Sequence, residues 1–169
     1  MTSRSVLKSL IVVMLVLCAD SAFAQAPPAV SLYLIPIGPP ISVETAKKAA
    51  AAALAEARKN GWLQVVAVVD SGGTLVYYEK MDNTELAASD LAVDKARSSV
   101  LYKRPTKAFQ DGLEKGGVNL RILGLKGASP VEGGLPIIVD GKLIGAIGLS
   151  GDAAEHDGQC AKAGVDALK

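Results

Sequence analysis

Thirteen of the seventeen glycines in this 169-residue chain fall between positions 112 and 164. Inside that stretch the run KLIGAIGLS (142–150) places Leu143, Ile147 and Leu149 on one strand face and Ile144, Ala146 and Gly148 on the other. A strand face that shrinks to alanine and glycine admits a close neighbour: a helix, a second subunit or a flat ligand. The alanine stripe of the first predicted helix is the natural packing partner for it. Asp140-Gly141 joins this run to LPIIV (135–139), and an Asp-Gly pair between apolar runs is a hairpin signature. The chain is therefore committed to an antiparallel pair that something must approach closely.

The rest of the pattern extends that commitment. LQVVAVVD (63–70), the turn Ser71-Gly72-Gly73 and TLVYYEKM (74–81) predict a second hairpin, with β-branched residues around a glycine turn. Before it, residues 42–60 predict a helix with Ser42 as cap, Glu44 in the first turn and Gly61 as terminator. Its inward stripe is Ala46, Ala49, Ala50, Ala53, Leu54 and Ala57. Residues 86–103 predict another helix, with Ala92, Val93, Ala96 and Val100 inward and Asp90, Asp94 and Arg97 outward. A short helix over 107–115 follows, with Thr106 as cap; VNLRILGLK (118–126) is read as a strand. Asp152 and Glu155 form a capping pair for a last helix through Leu168. Hairpins in place of strict β–α alternation indicate an α+β layered fold with an antiparallel sheet, built as a single domain.

Residues 1–24 stand apart. Arg4 and Lys8 precede the apolar run Leu10–Leu17, and Ala22-Phe23-Ala24 has the small-x-small form of a signal-peptidase site. The apolar run is far shorter than the roughly 20 residues a membrane span needs. Leu17 is too large to precede a lipidated Cys18, so cleavage and release into the periplasm or the medium is expected. Cleavage before Gln25 leaves 145 residues with 16 basic and 16 acidic groups, one Met, one Cys and one His. A full chain with a net charge of +1 and only seven aromatics lacks the charge and the stacking platforms of a nucleic-acid binder. Residues 25–41 carry five prolines and no charge, and read as an extended arm preceding the 42–169 domain. The arm is either packed on a neighbouring subunit or left as a tether.

Candidate chemistry is sparse. His156 and Cys160 share a helix face, but no second ligand pair completes a zinc site, and both also read as ordinary helix residues. Lys103, Arg104 and Lys107 cluster at a helix junction beside Thr106, where a carboxylate could dock or water could equally solvate the charges. The glycine-rich segments match neither a P-loop nor a dinucleotide fingerprint. Gly148-Leu149-Ser150-Gly151 is not a nucleophile elbow.

Several blocks together resemble the GlcG/HbpS-type haem-binding protein family. They are Val65–Leu75 with Met81-Asp82, Ala92-Val93-Asp94-Lys95-Ala96, Arg104-Pro105-Thr106, Gly133-Gly134-Leu135-Pro136-Ile137 and Ile144–Gly151, in the family's order. The resemblance implies a profilin-like, five-stranded antiparallel sheet with flanking helices, assembled into homo-oligomers. The family spans secreted haem binders, cytoplasmic proteins linked to glycolate use and a domain fused to corrinoid enzymes. It carries contact with haem iron onto Thr106, while His156 stands where relatives have an acidic or amide residue and competes with Thr106 as iron ligand. The leading expectation is an exported, oligomeric haem or tetrapyrrole binder. The small-faced strand would form its slot, and Lys103, Arg104 or Lys107 would meet the propionates. Two alternatives stay open. One is an enzyme that degrades haem or acts on a small organic acid, with Asp70, Glu79 and Asp94 available. The other is a non-catalytic accessory protein contacting a membrane protein.

Overall fold

A computed structural model describes residues 34–169. The expected signal segment 1–24 and the arm residues 25–33 lie outside the described residues. The elements run α1 (Val43–Asn60), β1 (Val65–Asp70), β2 (Leu75–Lys80), α2 (Ala88–Tyr102), α3 (Lys107–Glu114), β3 (Gly134–Val139), β4 (Lys142–Ser150) and α4 (Ala154–Asp166). The sheet has four strands in the order β2-β1-β4-β3, every neighbouring pair antiparallel.

Local chemistry explains most boundaries. The Ser42 hydroxyl accepts from the Thr45 N–H and starts α1. Asp140 and Gly141 both take positive φ, 49° and 71°, the pairing a tight two-residue hairpin requires. Asp70 Oδ1 accepts from the N–H groups of Gly72 and Thr74 and so locks the first hairpin turn.

Three expectations are corrected. The segment 118–126 is not a strand: Gly117–Gly124 forms a 3₁₀ helix with no buried residue, and the sheet therefore has four strands, not five. Glycines at both ends bound this apolar run, which pairs with neither edge of the sheet and coils on the surface. Thr106 does not cap α3 with its side chain, nor does Asp152 with Glu155 cap α4 as a reciprocal pair. Thr106 is used elsewhere, and Asp152 accepts from the Ala153 N–H while holding His156. Finally, the small face of β4 packs neither against the alanine stripe of α1 nor around a ligand. A Cβ at Gly148 would overlap the Ala92 carbonyl and press on the Ala96 N–H, so α2 already occupies that space. The proposed haem slot on this face is filled by protein.

The sheet is covered on both faces. Val66, Val68, Ile137, Ile147 and Leu149 pack with α1 and α4. Val65, Ala67, Val69 and Ala146 pack with α2. The alanine stripe of α1 meets α4, where Gly164 lies against the Ala49 carbonyl and Ala53. The described part of the proline-rich arm is docked rather than loose. Ile35 and Ile41 are buried, and Gly38 N–H and Leu143 N–H bond to the Leu143 and Pro36 carbonyls beside β4.

One polar contact ties the two helical layers together. Lys95 of α2 is 0% exposed and Asp157 of α4 is 2% exposed; Lys95 Nζ donates to Asp157 Oδ2 at 2.6 Å. Gln64 Nε2 donates to the other oxygen, Oδ1, at 2.7 Å. Burial pulls the Lys95 amine below its usual range and pushes the Asp157 carboxyl above its own, and the attraction between them opposes both shifts. Gly133, at φ 126°, passes directly over the pair, and a side chain there would come within 2.7 Å of Asp157 Cβ and 2.9 Å of Lys95 Nζ. Lys95→Met, which strands the carboxylate, is expected to cost about 3–5 kcal/mol in urea unfolding. Lys95→Met with Asp157→Leu should recover most of that loss, and a single variant as stable as the parent would show that the pair ties nothing.

Candidate functional site

The described surface has a cleft with an apolar floor. It measures about 450 Å³ and lies along the outer edge of β3, between the α2–α3 junction and α4. That volume is within the range of small-molecule sites. Because β3 is an edge strand, Pro136 is tolerated there, and one side of the strand remains open. Pro105, Leu135, Pro136 and Val165 supply apolar lining, and Gly133, Gly134 and Gly158 supply bare backbone. Around the rim stand Lys107, Lys162 and Lys169 with Glu132 and Asp166, three cations against two carboxylates.

The cleft is built by contacts that reach across the chain. Thr106 is fully buried; its N–H donates to the Gly134 carbonyl at 3.0 Å and its Oγ1 accepts from the Gly134 N–H at 2.9 Å. This two-point bracket fixes the start of β3, which is why the hydroxyl is unavailable as a helix cap. Lys107 Nζ bonds Asp111 Oδ1 at 2.6 Å and lies 3.7 Å from Glu132 Oε2. Lys162 of α4 and Lys169, just beyond the end of α4, both pair with Asp166.

Of the candidate contact residues Lys103, Arg104, Thr106, Lys107 and His156, only Lys107 lines this cleft, together with Pro105 and Gly133–Pro136 from the resemblance blocks. Lys103 turns to the opposite side, donating to the Ile35 carbonyl at 2.8 Å, and the guanidinium of Arg104 lies 5.3 Å from the Phe109 ring centre. The three basic residues therefore do not converge on one anion. His156 is outside the cleft. Its ring stacks on Trp62 with centroids 3.9 Å apart, and Nδ1 donates to Asp152 Oδ1 at 2.6 Å. That contact and the Ala153 N–H hold the Asp152 carboxyl below the usual carboxylate range. Cys160 shares the helix but faces the core, where burial pushes its thiol up to about 12. No group of three or more His, Cys, Asp or Glu suited to a metal ion occurs among the described residues. Asp70 and Glu79 are also engaged, the first by its turn and the second by Arg58 and the Tyr77 hydroxyl.

A family model described as the haem-degrading, HbpS-like proteins matches residues 41–166. The chain belongs to the HbpS-like family. This HbpS-like chain is 36% identical to the protein GlcG of Escherichia coli K12 over 110 residues, 65% of the chain and 81% of GlcG. Among solved structures it is similar to a Streptomyces reticuli HbpS double mutant, at 29% identity and TM-score 0.71 over 86% of this chain and 99% of that one. It is also similar to PduOC in complex with haem, at 28% identity and TM-score 0.69 over 76% of this chain and 94% of that one.

Sequence reading missed the contributions of Glu132, Lys162 and Lys169, since residues 132 and 162–169 meet only through the β3 edge. It also assigned no role to Lys95 or Asp157, which meet across 62 positions of sequence. Two outcomes check the HbpS-like site. Thr106→Val leaves the Gly134 N–H without an acceptor and should cost about 1–3 kcal/mol in chemical unfolding, while Thr106→Ser keeps the bond and most of the stability. Cys160 should resist a thiol reagent at pH 8 until the chain unfolds; rapid native labelling would contradict its burial.

Proposed function

We propose that this HbpS-like protein binds haem or a related tetrapyrrole in the cleft between β3 and α4. The supporting observation is the pairing of an apolar floor, Leu135, Pro136 and Val165, with a rim of Lys107, Lys162 and Lys169. A flat macrocycle needs the first, and its two propionates need the second. The haem complex of PduOC lends the same reading weight from a relative. The cleft supplies an apolar seat for the ring and amines for its carboxylates. It offers iron no imidazole, thiol or thioether, because Cys160 is buried in the core and His156 stands against Trp62. The buried Thr106 hydroxyl braces the floor from beneath. When bound, haem would supply its absorption and redox chemistry; the chain would supply an apolar seat and cations.

Titration of hemin into the purified protein should give a saturable Soret change. Charge reversal at Lys107 or Lys162 should weaken it roughly three- to tenfold each, and His156→Ala should leave it unchanged. Loss of the signal in His156→Ala alone would move the site to the Trp62–His156 face, and no saturable change in the parent would end the haem reading.

A second reading, oxidative haem degradation, has the family's own description behind it. With a reductant and oxygen present, release of iron and decay of the Soret band would select degradation, and a stable band would select binding. The reading includes export, resting on residues 1–24, and a mature chain recovered outside the cytoplasm should begin at Gln25. It also includes self-association, suggested by Val118, Leu120 and Leu123, which are 54–73% exposed on a 3₁₀ helix that buries nothing. A native mass above that of one chain would bear this out.

A further inference from the structure

We infer that Glu132 is the specificity-determining residue of the cleft: its carboxylate occupies the Lys107 end as an internal stand-in for a ligand carboxylate, and an anionic ligand must displace or protonate it. This inference rests on the reading of the cleft as a site for a molecule bearing carboxylates.

The geometry starts with position. Glu132 lines the cleft immediately before Gly133 and Gly134, with its side chain only 18% exposed. Its N–H donates to Gln110 Oε1 at 2.9 Å, which ties the backbone of this residue to α3. Gly158 of α4 makes room for the carboxyl group, since any Cβ there would overlap Glu132 Oε1. The carboxylate is thus held between α3 and α4, with Lys107 Nζ 3.7 Å from Oε2.

Charges reach it from each element around the cleft. On α3, Lys107 attracts it, and Asp111 repels it while competing for the same amine at 2.6 Å. Glu155 on α4 repels it. Lys162, Asp166 and Lys169 line the far wall. From beneath, the Lys95 amine of α2 feels the Glu132 charge, although Lys95 bonds Asp157. Burial, then the repulsion of Glu155 and Asp111, outweighs Lys107 and holds the Glu132 carboxyl above its ordinary value of 4.5. No other carboxylate lining the cleft shares this position. Asp166 is paired with two lysines of its own wall, and those contacts hold its carboxyl below the usual range.

The consequence for binding follows from linkage. A ligand carboxylate arriving at Lys107 brings a second negative charge against Glu132, which raises the proton affinity of Glu132 further. Binding then takes up a proton, and the affinity rises as pH falls toward the Glu132 range. A neutral glutamine removes the repulsion at every pH.

The test compares hemin affinity of the parent and Glu132→Gln at pH 6 and pH 8.5, with Asp166→Asn as the control carboxylate. Glutamine should tighten binding about three- to tenfold at pH 8.5, with a smaller gain at pH 6. The parent should show the steeper pH dependence, and Asp166→Asn should keep that dependence. Equal affinity and equal pH slopes in the parent and Glu132→Gln, with hemin still bound at the cleft, would overturn the role of Glu132 alone. Failure of hemin to bind any of the three proteins would overturn the haem reading and this inference with it.

Discussion

Lys95 and Asp157 face each other at 2.6 Å with almost no water in reach, one on each helical layer of a sheet that would otherwise separate them. A charge buried alone costs far more than it returns, so neither residue can be kept without the other. Their meeting therefore imposes a register on everything between: α2 on one face, α4 on the other, and the Gly133 backbone crossing over the contact. Gln64, at the entry to β1, donates to the same carboxylate and brings the sheet into the arrangement. A buried ion pair is not a large source of net stability, and burying leucines instead could stabilise as much. What it contributes is a single acceptable alignment of two layers.

The ligand-sized cleft is a product of that alignment. Gly133 and Gly134 form its floor because the space behind them is taken by Lys95, Asp157, Ser99 and Thr106. α4 forms its wall because Asp157 fixes the first turn of that helix, placing Gly158, Lys162 and Val165 along the open edge of β3. A site built on an edge strand and a helix has rigid sides, as ligand discrimination requires. The chemistry gathered there is modest: an apolar floor, three amines and a carboxylate pinned against one of them.

Local features of the fold were legible in the sequence. The Asp140-Gly141 turn, the Ser42 cap and the alanine stripe of α1 each act within a few residues, so residue type alone determines them. Long-range packing was not legible. The Ala146/Gly148 face announced a close neighbour, but only the tertiary fold shows that α2 is the neighbour and leaves no slot. The run 118–126 has strand-like composition, yet no sheet edge receives it, and it coils as a 3₁₀ helix. The basic trio Lys103, Arg104 and Lys107 is contiguous in sequence and diverges in space, because Lys103 adopts a left-handed backbone at the end of α2 and α3 restarts the chain in a new direction. The blocks that carried the family resemblance include Lys95 and Gly148, which align layers, and Gly133 and Gly134, which close over the buried pair on one side and line the cleft on the other.

On the proposed reading haem lies along β3 and α4, over the buried pair, and away from the Trp62–His156 stack. Amide hydrogen exchange of the protein with and without saturating hemin tests this directly. The account predicts added protection confined to the 132–136 segment, the start of α3 around Lys107 and the second half of α4 from Gly158 onward. Protection centred on Trp62 and residues 152–156, with the β3 edge unchanged, would contradict it.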